Sequence, residues 1–280
     1  MARYAVHVSD LHRGKSADAA VDEALAALVV QLDPAVVLAT GDLANRGRPH
    51  ELAEARTVLE RLGAPVLAVP GNHDIPYTLP ARLRRPWRAF EEAFGTVAPV
   101  MRTTDLVAVG LNSVWPTRHQ RGRLPRTELE RMRRELAAAP AGALRLVALH
   151  HQLAGAPWRT ARKWPLKHRS DVLAALEDAG AELVIGGHIH QSSAVERHEF
   201  LVVGGTPPGS VVLATAPGYG RPRPERRREA QGLHVYAWNE AELVVETRTW
   251  DGTSFAPTAE RRFPRLGRVQ SPVVAGEERA

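Results

Sequence analysis

The chain contains no cysteine. Disulfides are excluded, and so are metal sites built on thiolates. Any transition-metal site has to use His, Asp, Glu and Asn, the nitrogen and oxygen donors suited to Zn, Mn or Fe. Long apolar runs are missing as well. No segment approaches the ~20 apolar residues that a membrane-spanning helix needs, and Tyr4-Ala5-Val6 follows directly on the N-terminus without the basic and apolar regions of a signal peptide. A cytoplasmic protein without a membrane partner is the expectation. Lysine is scarce: Lys15, Lys163 and Lys167 are the only ones, so the net charge of +6 rests on arginine. Beside abundant Ala, Gly and Pro, that excess reads as compositional bias before it reads as a nucleic-acid surface. No internal repeat is found.

What is present is enough for one large core. The 280 residues are 44% hydrophobic, which fits one domain, or two at most. Arg3 to Val8 reads as a strand, followed by a helix over Ala17–Leu32 that Asp33-Pro34 stops. Ala35–Ala39 is a second strand, Glu51–Leu62 a second helix closed by Gly63, and Ala64–Val69 a third strand. This strand-helix alternation predicts a parallel sheet. Further along come a short helix over Pro86–Phe94, a strand over Leu106–Leu111, and a helix from a capping box at Thr127-Glu128-Leu129-Glu130 to Ala139. A strand over Leu144–Leu149, a helix from Ser170 to Gly180 and a strand over Glu182–Ile185 complete that half. After His190 the helices cease. Gln191–His198, Phe200–Val203, Ser210–Ala214, Leu233–Trp238 and Leu243–Trp250 read as strands of a second sheet packed on the first. The expected folded domain covers residues 1–266, and residues 267–280 read as a disordered tail.

Each of five strand ends delivers polar side chains. They are Asp10-Leu11-His12, Gly41-Asp42, Gly71-Asn72-His73-Asp74, His150-His151 and Gly187-His188-Ile189-His190. In parallel sheets, sites gather beyond the carboxyl ends of the strands, so these residues should converge. Asp10 and His12, two apart on an extended backbone, would aim the same way. Taken singly, Asn72, His73 and Asp74 are ordinary turn residues and His188 an ordinary strand-end histidine. His7, His50, His119, His168, His198 and His234 read as histidines without a role. Five motifs after five strands carry a site where one would not. Seven donors, Asp10, His12, Asp42, Asn72, His150, His188 and His190, fit a two-metal site in which one carboxylate bridges both ions. Such a pair, ~3.5–4 Å apart, shares a hydroxide and clamps a phosphate oxygen. The long basic segment Gln152 to Arg169, with Trp158 and Trp164, reads as a rim or lid.

Together these motifs resemble the calcineurin-like metallophosphoesterases, and within them the bacterial cyclic-nucleotide phosphodiesterase branch. The resemblance spans roughly residues 3 to 250 and implies an α/β (α+β) fold, two mixed β-sheets packed as a sandwich flanked by helices. It implies that Asp10, His12 and His190 hold one ion, that Asn72, His150 and His188 hold the other, and that Asp42 bridges them. His73 would bind the phosphate and protonate the leaving oxygen, and Asp74 would orient His73. Gln152 stands where the family often has Pro after the His-His pair. His150 is taken as the ligand of that pair, and His151 is placed on the substrate edge beside Asn72 and His73.

The implied function is a dinuclear-metal phosphodiesterase that hydrolyses a small, cyclic-nucleotide-like diester by attack of a metal-bound hydroxide, with Mn, Fe or Zn as the ions. A broad phosphomonoesterase is the alternative on the same metals. A nuclease is the other; the positive charge favours it, and the lack of a separate DNA-binding module weakens it. A silent scaffold would keep the fold, but the complete donor set argues against it. The chain is expected to act as a monomer or homodimer.

Overall fold

The structure is a computed structural model that describes residues 2–15, 18–154, 166–196, 211–220 and 230–265. Side chains along a strand face opposite ways in turn, and this sorts the core. Along β2 (Val36–Thr40), Val36 and Leu38 enter one apolar cluster while Val37 and Ala39 enter another. Along β5 (Leu106–Gly110), Leu106 and Ala108 join the same first cluster, and Val107 and Val109 face away from it. Both strands are buried on both faces, which is why each reads as a continuous apolar run.

The shared cluster lies between two six-stranded sheets. The first contains β1 (Arg3–Val8), β2, β3 (Val66–Val69), β10 (Gly232–Trp238), β11 (Glu242–Trp250) and β12 (Phe255–Pro264), in the order β12-β11-β10-β1-β2-β3. The second contains β4 (Val100–Arg102), β5, β6 (Leu144–Ala148), β7 (Leu183–Gly186), β8 (Ser193–Glu196) and β9 (Val212–Thr215), in the order β4-β5-β6-β7-β9-β8. β1, β2 and β3 run parallel, and so do β5, β6, β7 and β9. β10, β11 and β12 run antiparallel along one edge of the first sheet. β4 and β8 close the two edges of the second in antiparallel fashion.

Helices cover the outer faces. α1 (Ala19–Leu32) sets Val21, Leu25, Leu28 and Val29 on the first sheet, and α2 (Pro49–Glu60) adds Leu52, Ala55 and Leu59. α3 (Ala81–Arg84) is a single exposed turn, and α4 (Arg88–Phe94) buries Phe90. α5 (Arg126–Ala137) and α6 (Arg169–Asp178) cover the second sheet with Met132, Leu136, Val172 and Leu176. The result is four layers, helix, sheet, sheet, helix, as the family resemblance implied. Leu38 and Leu146 sit between the sheets at 0% exposure, where truncation to Ala costs about 2–5 kcal/mol.

Several expectations are corrected. The strands after His190 do not form a sheet of their own. β8 and β9 extend the second sheet, and β10 to β12 extend the first. Apolar alternation marks a strand but not its partner. β4 was not anticipated because it has three residues, and β12 because its middle is exposed and polar. α5 begins at Arg126 with Pro125 at its N-cap, so Thr127 lies inside the helix instead of capping it. The expected strand over Phe200–Val203, the Trp158 and Trp164 rim and the tail from 267 lie outside the described residues.

Candidate dinuclear metal centre

The five polar strand ends converge where the carboxyl ends of the parallel strands of the two sheets meet. Their backbones are not extended. Asp10, His12, Asp42, His188 and His190 all have left-handed φ, from 50° to 71°. Non-glycine residues hold such angles at a cost of order 1–3 kcal/mol each when the surroundings enforce them, and such residues cluster at functional sites. The sequence expectation that Asp10 and His12 align through an extended backbone is therefore wrong in its reason, although both reach the site. Backbone bonds lock the loops together: Asp10 N–H donates to Gly41 O at 2.9 Å, His12 N–H to Asp42 O at 2.9 Å and Gly187 N–H to His150 O at 3.0 Å. The approach is so close that a Cβ on Gly71 would lie 2.1 Å from Asp42 N, and one on Gly187 1.8 Å from Ser9 Oγ. Glycine at these positions lets the loops touch.

Two groups of donors result. The ligand atoms of Asp10, His12 and His190 lie within 4.8 Å of one another, and so do those of Asp42, His150 and His188. In the first, His190 Nε2 is 3.0 Å from Asp10 Oδ1 and 3.4 Å from His12 Nε2. In the second, His150 Nε2 is 3.1 Å from His188 Nδ1, 3.2 Å from Asn72 Oδ1 and 3.4 Å from Asp42 Oδ1. His150 Nδ1–H donates to the carbonyl of Thr40 at 2.7 Å, which leaves the Nε2 lone pair aimed at the centre. Asp10 Oδ2 accepts from Ser9 Oγ at 2.8 Å and from His188 N–H at 3.0 Å. Asp42 Oδ1 accepts from His73 N–H at 2.8 Å.

The electrostatics fit cations. Burial alone would raise the pKa of Asp10 and Asp42, yet His190 holds Asp10 and His150 holds Asp42 well below the usual carboxylate range. Burial depresses His12 to about 3, more than Asp42 can restore. For His150 the balance tips the other way: Asp42 outweighs burial and raises it to about 9. An environment that draws a proton onto a fully buried imidazole draws a metal ion by the same field. Buried His12 Nδ1 and Asn72 Nδ2 make no hydrogen bond among the described residues, so the protein has not satisfied this cluster by itself. The donor set, nitrogen and oxygen without sulfur, fits two transition-metal ions.

The neighbouring residues depart further from expectation. His73 is not oriented by Asp74. Its Nδ1 lies 2.8 Å from the carbonyl of Asn45, an acceptor only, so Nδ1 carries the hydrogen and Nε2 faces Asp42 Oδ2 at 4.0 Å. Asp74 is spent on backbone amides, accepting from Ala44 and Gly71 at 2.7 Å each. Burial, and then Asp42, raise its pKa to about 7. It ties the third strand-end turn to the second. His151, expected on the substrate edge, is fully buried. Its Nδ1 turns to Ser113 Oγ at 2.9 Å, and its ring packs against those of His150 and His188 with centroids 5.0 and 4.8 Å away.

Three of the histidines that read as idle have surroundings the sequence did not disclose. His119 stands beside His73 with ring centroids 5.3 Å apart. His7 and His234 pair across β1 and β10 and are fully buried. His7 lies 2.7 Å from both Tyr236 Oη and Thr40 Oγ1, and His234 Nε2 lies 2.8 Å from Ser192 Oγ. Tyr4-Ala5-Val6-His7-Val8 does carry a signal, a histidine in the middle of an apolar strand.

Comparison with known proteins agrees with this geometry. A family model described as calcineurin-like phosphoesterase matches residues 5–192, and the chain belongs to that family. It is 30% identical to a probable cyclic nucleotide phosphodiesterase of Rhodococcus erythropolis, over 68% of this chain and 65% of the relative. It is 29% identical to a cAMP/cGMP dual specificity phosphodiesterase of Mycobacterium tuberculosis, over 67% of this chain and 62% of the relative. The match thus spans slightly less than two thirds of the length of either relative. Among solved structures, a purple acid phosphatase from yellow lupin superposes with a TM-score of 0.68 over 95% of this chain and 54% of its own, at 11% identity. That likeness shows the shared fold.

Proposed function

We propose that the chain is a metal-dependent phosphodiesterase acting on a small diester of the cyclic-nucleotide kind. The observation that carries the reading is the pair of buried donor groups, Asp10-His12-His190 and Asp42-His150-His188, side by side at the strand ends. The two relatives named for cyclic nucleotides supply the substrate class. Asp10, His12 and His190 would hold one ion, Asn72, His150 and His188 the other, and Asp42 would serve both. When bound, the ions, which we take to be Mn, Fe or Zn, supply Lewis acidity for the phosphoryl oxygens and a water of lowered pKa.

The chain's own residues do the rest. Thr40 fixes the ring of His150 through Nδ1, and Ser9 and the His188 amide fix Asp10 through Oδ2. Asn45 fixes the tautomer of His73, so its Nε2 faces the site. A diester leaves as an alkoxide, which needs a proton; the imidazolium form of His73, with Nδ1–H held by Asn45, would give it from Nε2–H and return to the Nδ1–H tautomer. We take the protein to work in the cytoplasm as a monomer or homodimer; no helix among the described residues is long and apolar enough to cross a membrane.

The test is a panel with Mn: bis-p-nitrophenyl phosphate, p-nitrophenyl phosphate, cyclic AMP and single-stranded DNA. The expected order of kcat/KM puts the diesters ahead of the monoester. A clear preference for the monoester refutes the diesterase reading and leaves the metal centre standing.

A further inference from the structure

Two loops meet beside His73, the first of which also carries the candidate ligand Asn72. One runs on from β3 through Pro76 and Tyr77, and the other runs on from β5 through Trp115, Pro116 and His119. Arg82 staples them. Its Nε donates to the carbonyl of Pro116 at 2.7 Å and its Nη1 to the carbonyl of Pro76 at 3.0 Å. The staple holds the rings of Tyr77 and His119 edge to face, with centroids 4.9 Å apart at 73°. Both also touch His73, at 5.6 and 5.3 Å. His73 is the inner corner of a three-ring cluster. Its outer members are open to solvent, Tyr77 at 41%. Tyr77 Oη lies 2.6 Å from His73 Nδ1. Asn45 already assigns the hydrogen to Nδ1, so the tyrosine oxygen accepts a share of it and helps to hold the ring.

A proton donor faces the leaving oxygen, and whatever that oxygen carries extends past the donor. Past His73 stand Tyr77 and His119. The rim around them is positive: Arg118, Arg123 and Lys167 lie over the ring of Trp115 at 5.9, 5.7 and 5.4 Å. A positive rim with exposed aromatic faces suits an anion that carries a planar ring.

We infer that Tyr77 and His119 form a stacking wall for the nucleobase on the leaving-group side of the substrate. This deepens the reading of His73 as proton donor and rests on it. Stacking a base on one aromatic side chain changes affinity by roughly 5- to 150-fold and is tolerant of which base it is. Tyr77 is both part of the wall and a positioning residue for His73.

The experiment is calorimetric binding to the full, Mn-loaded chain, with AMP and ribose 5-phosphate as the paired probes. The two share a phosphate and a ribose and differ by the base. The wild type is expected to bind AMP at least about 10-fold more tightly. His119→Ala and Tyr77→Ala should bring that ratio towards unity, and His119→Trp and Tyr77→Phe should retain it. The inference is overturned if the wild type shows no preference, or if His119→Ala leaves the ratio within twofold. His119 is on an exposed loop, so its variants decide the matter even if Tyr77→Ala fails to fold. Failure of the diesterase reading would show instead as wild-type protein that leaves cyclic AMP uncleaved, whatever the binding ratio.

Discussion

Two groups of buried histidines lie close together in this protein, and they differ in chemistry. In one, His7 and His234 lie against the hydroxyls of Tyr236, Thr40 and Ser192, with no carboxylate of the described residues at hydrogen-bond distance. Burial lowers the pKa of both, His234 to about 3, so both stay neutral at ordinary pH. In the other, His12, His150, His188 and His190 surround Asp10 and Asp42, and ring nitrogens face one another at 3.1 and 3.4 Å. The first group satisfies itself; the second needs a cation. What separates a structural histidine from a ligand is therefore its company: hydroxyls close a network, whereas buried carboxylates leave one open. The two are joined through Thr40, whose hydroxyl meets His7 and whose carbonyl orients His150.

The comparison is broken most severely at Asp42. Asp42→Ala should remove metal and lower kcat/KM by roughly 10³-fold, the equivalent of several kcal/mol of charge stabilisation. Metal analysis of the purified variant, against about two ions expected for the wild type, checks it; a variant that kept both ions would assign the shared ligand elsewhere. His73→Ala should keep its metal and lose about 10²–10⁴-fold in rate, the range of a general acid. If metal left with His73, that side chain would belong among the ligands.

Smaller effects sharpen the other side. Tyr236→Phe removes one hydroxyl from the closed network, and stability should fall by about 1–3 kcal/mol in denaturant unfolding. Metal content should be unchanged, because no candidate ligand contacts that hydroxyl. At neutral pH the remaining effect is silent, because it is a pH dependence that appears only on acidification. The folded pKa of His234 is about 3, against an ordinary value of 6.5. Between these values the unfolded chain binds the proton and the folded chain does not. Its contribution is complete above pH 6.5 and is lost as the pH falls towards 3, with a slope of at most about 1.4 kcal/mol per pH unit. His234→Gln should flatten the unfolding free energy over that window, and a profile identical to that of the wild type would show that His234 is not kept neutral by burial.

Much of the fold could be read in the sequence because buried strands announce themselves as apolar runs and helices by their spacing and stops. β1, β2, β3, β5, β6 and β7 fall within a residue or two of where the pattern put them. All seven expected donors come together as well, since five strand ends carrying the same chemistry have little else to do. The partners of the late strands could not be read, because alternation is identical whichever sheet receives the strand. The roles around His73 could not be read either. Asp74 follows His73 directly, yet its carboxylate is taken by the amides of Ala44 and Gly71.

By itself the sequence determined which residue types stand at each strand end, and so the nitrogen and oxygen donors on offer, and where most strands and helices lie. Tertiary structure alone decided which neighbour each polar atom meets. His7 is buried, His119 sits beside His73, and Asn45 sets the tautomer of His73, all through contacts between segments that are remote in sequence or displaced by a turn. Hydrophobic burial is written residue by residue and is close to additive. A hydrogen bond or a metal site needs two or more groups at a fixed distance, and that distance exists only after the loops have closed on one another.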